Sequence, residues 1–212
     1  MTKLTVAEIA ELAPAGWVIV PGGLRTRLRT GSFPAGLALV AAIGAVAEEL
    51  DHHPDLDLRY TFVDVRTSSF DVGGVTRRDL RLAGRIGELA AAAGVALDPA
   101  GVARLEWGLD TPGQAGVAPF WAAVLGLTES EDELVDPAGV QPTVWFQESG
   151  SEEPRQRWHP DLWVDPAQVR SRIDAAVAAG GTLVSDADAP SFWVLSDPEG
   201  NRMCICTWQE RG

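Results

Sequence analysis

The two adjacent histidines, His52 and His53, are the residues of this chain best suited to chemistry. The chain has only 3 histidines in 212 residues. Histidine has the side-chain pKa closest to neutrality, so it can exchange protons with a bound molecule. Pro54 follows directly and stops the preceding helix, because proline lacks an amide proton and clashes with the turn before it. The pair is therefore predicted to carry proton transfer at a helix-to-strand corner. The alternative is a helix C-terminus at which imidazolium complements the macrodipole.

The elements around the histidine pair predict an α+β unit over residues 1–97. Capping patterns at Thr5 and Thr76 predict helix starts, and alternating apolar residues predict strands. The predicted elements are helix 5–13, strands 17–20 and 24–30, helix 34–50, two strands between 56 and 69, and helix 76–93. This α-β-β-α-β-β-α order predicts helices on one face of an antiparallel sheet. The long helix is expected to bury one apolar stripe: Phe33, Leu37, Val40, Ile43, Ala47 and Leu50.

The segment from Glu49 to Asp55, followed by Tyr60, Gly74 and Asp79, resembles the signature of pterin-4a-carbinolamine dehydratases over about residues 1–93. The reaction of that family expels a hydroxyl from carbon 4a of a 4a-hydroxytetrahydropterin while a proton leaves N5. It needs an acid and a base but no cofactor. The resemblance implies that His52 and His53 are catalytic. It also implies that the pterin pocket is shaped by Asp51, Pro54, Ser68, Ser69, Phe70 and Asp71.

This chain departs from the family at one position. The family's third pocket histidine falls on Phe70, which can stack on a flat ring but cannot transfer a proton. His52 and His53 would then divide the two proton transfers, with Asp51 or Asp71 orienting an imidazole. A slow dehydratase and a non-catalytic pterin-binding or interaction module both remain open.

Residues 102–212 are predicted to form a second unit, separated by a linker at residues 94–101. They carry seven of the eight tryptophans and a net charge of −11, against −2 for residues 1–100. A weak internal repeat places Asp165 55 positions after Asp110. Each copy predicts a strand, a helix and short strands, which is a duplicated βαβββ pattern. Residues 197–201 are expected to form a tight turn.

The second unit resembles the glyoxalase-like branch of the vicinal oxygen chelate superfamily over about residues 102–210. The segment 157–163 and the Asp-Pro-Glu-Gly-Asn turn carry the resemblance. Active members bind a divalent metal with His and Glu ligands from both modules. Here the first-module position is expected at Ala103 and the closing Glu position at Cys204. His159, Trp193 and Cys204 are the pocket candidates, and no metal is predicted. A lyase, isomerase or dioxygenase based on this unit is the further alternative.

Composition limits the partners that the chain can have. A net charge of −13 argues against nucleic-acid backbones and anionic membranes. No uninterrupted apolar run reaches transmembrane length, and the N-terminus lacks the pattern of a signal peptide, so a cytoplasmic protein is expected. Cys204 and Cys206 are expected to be reduced. The expected partners are a small pterin or related heterocycle and, by family analogy, further copies of the chain.

Overall fold

The computed structural model describes residues 2–149, 157–196, 200 and 202–210. It divides the chain into two compact units, with the boundary between Val102 and Ala103. Each unit has its own sheet and its own hydrophobic clusters. The predicted turn at 197–201 lies largely outside the described residues.

The first unit has the predicted α-β-β-α-β-β-α order, with one additional strand at its end. Its elements are α1 (Val6–Leu12), β1 (Val18–Val20), β2 (Gly23–Arg29), α2 (Phe33–Leu50), β3 (Asp55–Leu58), β4 (Val63–Thr67), α3 (Arg77–Ala92) and β5 (Ala96–Leu97). The strands are antiparallel, in the order β1-β2-β4-β3, and β5 pairs with β2. A single 3₁₀ turn, Phe70–Val72, connects β4 to α3.

Helices α2 and α3 pack on the sheet through one hydrophobic cluster that includes Leu24, Leu28, Val63 and Ile86. The predicted stripe of α2 is wrong in part. The buried residues of this helix are Gly36, Leu39, Ile43, Val46 and Ala47, whereas Phe33 is 44% exposed and Leu37 is 54% exposed. Because α2 is apolar on most of its surface, several stripes satisfy the helical spacing, and the contacts with the sheet and α3 select one.

Helix α2 is also the one helix in the described part of the chain that is long and apolar enough to cross a membrane, judged by length and composition alone. Its 18 residues have a mean hydropathy of 1.6. In this structure, Leu39, Ile43 and Val46 belong to the hydrophobic core of the first unit.

The predicted linker is part of the first unit. Residues Ala96 and Leu97 form β5 on the edge of the sheet beside β2. The Asp98 carboxylate accepts a hydrogen bond from Arg29 Nε at 2.7 Å and another from the Gly101 amide. Residues 96–101, which the sequence predicts as part of a linker, are therefore held by strand pairing and by this ion pair.

The second unit is a duplicated βαβββ fold, as the internal repeat predicted. The first copy contains β6 (Ala103–Thr111), α4 (Gln114–Leu125), β7 (Thr128–Ser130), β8 (Glu133–Val135) and β9 (Thr143–Glu148). The second contains β10 (Trp158–Val164), α5 (Pro166–Ala178), β11 (Thr182–Ser185), β12 (Phe192–Ser196) and β13 (Arg202–Cys206). The eight strands form one sheet in the order β11-β12-β13-β10-β6-β9-β8-β7.

A pseudo-two-fold axis relates the two copies at the antiparallel pair β6–β10. Glu106 pairs with Asp161, which is 55 positions later in the chain. The pair Arg104–Trp163 lies on one side of this central pair, and the pair Gly108–His159 lies on the other side at the equivalent place. Residues 55 positions apart therefore correspond, and Glu106 and Asp161 lie across the axis from each other. Helices α4 and α5 pack on one face of the sheet, where they cover residues such as Val144, Leu162 and Ile205. Since side chains alternate along a strand, Glu106, His159 and Cys204 lie on the opposite face.

Candidate active site

The candidate site of the first unit is built around the carboxylate of Asp79, which is fully buried. One oxygen accepts hydrogen bonds from His52 Nε2 at 2.7 Å and from the Thr67 hydroxyl at 2.6 Å. The other accepts from the Ser69 hydroxyl at 2.7 Å and from the Thr76 amide at 2.7 Å. These groups come from the end of α2, the end of β4 and the start of α3. The fold thus brings together residues that are distant in the sequence.

Local sequence explains why helix α2 ends here and why helix α3 begins here. The last turn of α2 stops at Asp51, which adopts a left-handed conformation with φ 48°, and His52 N then donates back to the Ala47 carbonyl. Helix α3 starts with a capping box in which Thr76 and Asp79 satisfy each other's amides. Both helix ends are therefore fixed by backbone hydrogen bonds, which hold His52 and Asp79 at the same place.

The hydrogen bonds to Asp79 define its charge and the tautomer of His52. Burial raises the pKa of the Asp79 carboxyl, but hydrogen bonds from Thr67, His52, Ser69 and the Thr76 amide outweigh this effect and leave the pKa below its ordinary value. The carboxylate is thus ionised at neutral pH and can only accept hydrogen bonds. His52 Nε2 must then carry a hydrogen. Nδ1 has a lone pair when His52 is neutral and carries the second proton when His52 is an imidazolium.

His53 has a different environment from His52. His52 is 8% exposed, whereas the side chain of His53 is 56% exposed, and its Nε2 lies 3.0 Å from Glu48 Oε1. The two adjacent imidazoles therefore contact different carboxylates, one buried and one in solvent. They are not equivalent acid–base groups.

The carboxylate that orients His52 is Asp79, and neither Asp51 nor Asp71 takes that position. Asp51 is an exposed helix cap, and Asp71 forms an ion pair with Arg78. In the sequence Asp79 is part of the family signature and of a helix cap, but its contact with His52 depends on the tertiary structure. Thr67 could not be identified from the sequence, because a threonine on a strand carries no distinctive signal.

The remaining predicted pocket residues differ in how deeply they are buried beside this network. Ser69 is buried and bonded to Asp79, while Ser68 and Pro54 are half-buried. Phe70 directly follows Ser69 and is 73% exposed, with the Arg66 guanidinium 6.0 Å from its ring centre. An exposed aromatic ring beside a cation offers a flat stacking surface but no proton.

In the second unit, the structure separates the three predicted pocket residues. His159 and Cys204 lie on the face opposite the helices, but Trp193 pairs with Ile205 and packs in the helix-covered core. Strand alternation explains this correction, since Val194, next to Trp193, is the partner of Cys204. The tryptophans on the face of His159 are Trp145 and Trp163.

The same face carries a strongly perturbed acid. Glu106 is 8% exposed and accepts a hydrogen bond from Trp163 Nε1 at 2.7 Å. Burial raises the pKa of Glu106 to about 7, an effect that the Trp163 hydrogen bond only partly offsets. Burial likewise raises the pKa of Glu133, which lies on β8 beside Trp145.

Two protein families match the two units. The family described as pterin 4 alpha carbinolamine dehydratase matches residues 2–89, and a family described as glyoxalase-like domain matches residues 106–206. The two matches cover separate parts of the chain, and each lies within one unit of the structure.

Individual relatives match the first unit. A protein of Chloroflexus aurantiacus named "putative pterin-4-alpha-carbinolamine dehydratase" is 38% identical over 91 residues, which are 42% of this chain and 98% of the relative. A protein of the same name from Xanthomonas campestris is 40% identical, over 41% of this chain and 77% of the relative. A solved structure from Brucella melitensis, titled a transcriptional coactivator/pterin dehydratase, is 30% identical, with a TM-score of 0.40, over 42% of this chain and 99% of that one.

Proposed function

The chain is a member of the pterin-4a-carbinolamine dehydratase family through residues 2–89, and from that membership we propose that its first unit dehydrates a 4a-hydroxytetrahydropterin with His52 as the base. The reaction breaks the bond between carbon 4a and the hydroxyl oxygen and removes the proton on N5. An acid protonates the departing hydroxyl, and a base accepts the N5 proton, so one water leaves and the total proton count of the protein is unchanged. Exchange with solvent then returns the acid and the base to their starting forms.

The hydrogen bond between His52 and Asp79 is the observation that carries this proposal. With Nε2–H held by an ionised carboxylate, Nδ1 is the nitrogen that can accept the proton from N5. The imidazolium that forms is then stabilised by a buried negative charge at 2.7 Å. Asp79 does not touch the substrate in this scheme. It is a positioning residue that fixes the tautomer and the orientation of His52.

His53 is assigned the acid role, because it is solvent-exposed and beside Glu48. A solvent-exposed proton donor can be replaced by water more easily than a buried, oriented base. We therefore expect unequal effects of removing the two histidines: His52→Ala should lower the excess rate over the uncatalysed reaction by about 10²- to 10⁴-fold. His53→Ala, the matched change at the next residue, should lower it by about 10-fold or less.

The decisive experiment follows the loss of freshly generated 4a-hydroxytetrahydropterin with the wild-type chain and both variants. Circular dichroism and urea unfolding establish that each variant is folded. A rate that exceeds the uncatalysed one and depends on His52 supports the proposal. An equal rate for wild type and His52→Ala would contradict it.

A second candidate function, binding of a pterin without turnover, is favoured by Phe70. Its exposed ring next to Arg66 can stack on a pterin but cannot replace a histidine in proton transfer. If the wild-type chain is inert and Phe70→His gains dehydratase activity, the natural role is binding. If Phe70→His changes nothing and the wild-type chain is active, two histidines suffice.

A further inference from the structure

The sheet face of the second unit that lies opposite α4 and α5 carries a cluster of side chains that the dehydratase does not use. The resemblance to glyoxalase-like proteins implies a metal held by His and Glu ligands from both modules. That set does not fit this chain. The pseudo-two-fold register makes Arg104, and not Ala103, the first-module counterpart of His159. A guanidinium has no lone pair to donate to a metal. Cys204 stands at the closing Glu position, so the two-module ligand set is missing at two of its positions.

A different set of donors lies together within the second module. His159, Asp161 and Cys204 offer an imidazole nitrogen, a carboxylate oxygen and a sulfur that all lie within 4.8 Å of one another. His159 and Asp161 are two positions apart on β10 and point to the same side, and Cys204 on β13 is the direct partner of Asp161. The sheet register therefore places the three donors, and no loop is needed to bring them together.

The distance between His159 and Asp161 suits two ligands of one ion better than a direct hydrogen bond between them. His159 Nε2 lies 3.8 Å from Asp161 Oδ1, which is too long for a hydrogen bond. Two ligands on one tetrahedral zinc ion are separated by about 3.5 Å, given metal–ligand distances of about 2.0–2.3 Å. A small rotation of these side chains would thus close the distances around one ion.

The imidazole of His159 is already held in place. Its ring lies against the backbone at Gly108, where an added Cβ would be only 2.6 Å from it, and it meets Trp145 edge-on at 5.2 Å. Its other nitrogen, Nδ1, lies 3.8 Å from Asp110 Oδ1, a buried oxygen that has no hydrogen-bond partner among the described residues. At 3.8 Å these two atoms do not form a hydrogen bond in this structure. A small rotation of the Asp110 side chain would let it accept one from Nδ1, which is the usual support for a histidine that ligates a metal.

We propose that the second unit binds one zinc ion through His159, Asp161 and Cys204, with Asp110 orienting His159 from behind. The mixed nitrogen, oxygen and sulfur set points to zinc, because a thiolate is a poor ligand for Mg²⁺ or Ca²⁺. Three protein ligands leave the fourth position of the tetrahedron open. That arrangement is typical of catalytic zinc sites, in which a water or a substrate oxygen completes the coordination.

Cobalt substitution of the full chain tests this proposal with a readout other than activity. After treatment with a chelator, addition of Co²⁺ should produce a thiolate-to-cobalt charge-transfer band that saturates at one ion per chain and is displaced by Zn²⁺. Cys204→Ser should abolish the band. Cys206→Ser, at the other cysteine of the chain and two residues further along β13, should retain it. Asp110→Asn should keep the band but weaken metal binding by about 10- to 100-fold.

A second measurement avoids any change to the ligands. In Cys206→Ser protein the only thiol is Cys204, and Zn²⁺ should slow its alkylation strongly. The proposal is overturned if Co²⁺ gives no thiolate band, if the band survives Cys204→Ser, or if Zn²⁺ leaves the alkylation rate unchanged. Equal loss of the band in Cys204→Ser and Cys206→Ser would overturn it as well.

Discussion

At the scale of single residues, the Asp79 carboxylate has two roles. Its oxygens cap the N-terminus of α3 and also hold His52. The capping role follows from the Thr76–Asp79 spacing and is readable in the sequence. The second role requires Thr67, Ser69 and His52 to meet, which only the folded chain achieves. The sequence therefore points to the histidine pair, but it does not reveal that Asp79 is the carboxylate that holds His52.

Because the pKa of Asp79 is lowered, we expect this residue to stabilise the fold at neutral pH and not in acid. The pKa of this carboxyl is lower in the folded state than in the unfolded state, where it is about 3.9. Such a group stabilises the fold at pH values above its unfolded pKa. The stabilisation is lost as the pH falls through the pKa of the folded state. Asp79→Asn should therefore lower the free energy of unfolding by at least about 2 kcal/mol at pH 7. The difference from wild type should shrink below about pH 4. Urea unfolding at several pH values measures this.

Asp71→Asn is the matched control for that series, because Asp71 is an exposed acid paired with Arg78. Surface pairs of this kind contribute less than about 1 kcal/mol. A constant difference between wild type and Asp79→Asn from pH 7 down to the acid limit would contradict the assignment of Asp79 as an ionised, stabilising carboxylate.

For Glu106 in the second unit we expect the opposite dependence of stability on pH. Its pKa is raised to about 7 by burial, so its contribution to stability is greatest below the ordinary Glu pKa of about 4.3 and is lost as the pH rises through 7. Glu106→Gln should therefore raise the free energy of unfolding at pH 8 by at most about 4 kcal/mol. It should have almost no such effect at pH 4. Denaturation in the presence of a chelator, followed by tryptophan fluorescence, measures both.

The exposed Glu129 on β7 provides the comparison for this change. Glu129→Gln should leave the free energy of unfolding within about 0.5 kcal/mol of wild type at both pH values. A Glu106→Gln variant that is less stable than wild type at pH 8 would show that Glu106 is held as a favourable carboxylate.

At the scale of elements, the long helices and most strands could be predicted because they carry clear periodicity or caps. Strands β5, β7 and β8 carry no such signal, since they contain only two or three residues and depend on pairing with a neighbour. The buried stripe of α2 differs in part from the predicted one, because the apolar surface of this helix is wide and several stripes fit the helical spacing. The side chain of Trp193 faces the helices and not the predicted pocket, because the register of β12 against β13 cannot be read from composition.

Gly108 provides a prediction for strand β6. An added methyl group would approach the His159 ring to 2.6 Å and Trp145 to 2.8 Å, so Gly108→Ala must displace the imidazole. We expect a destabilisation of about 1–3 kcal/mol together with weaker cobalt binding. Gly116→Ala on α4, where no atom lies within 4 Å of an added Cβ, should instead stabilise by about 0.5 kcal/mol. Thermal unfolding and cobalt titration of both variants distinguish these effects.

At the scale of the whole molecule, the described parts of the two units have separate clusters of buried residues. A fragment of residues 1–102 should therefore fold alone and retain the dehydratase rate of the full chain. A fragment of residues 1–93 should unfold at lower urea concentration, because it lacks β5 and the ion pair between Arg29 and Asp98. Equal midpoints for the two fragments would show that the segment 94–102 adds nothing to stability.

The pseudo-two-fold axis of the second unit has an evolutionary consequence. In an ancestor with one module that paired with its own copy, each side chain next to the axis would have faced itself, and any substitution there would have occurred twice. Fusion of two copies into one gene removes that constraint. Glu106 now faces an aspartate, and the position that holds a histidine in one half holds an arginine in the other. Such asymmetry can arise only after duplication, and it allows one half to specialise while its twin preserves the fold.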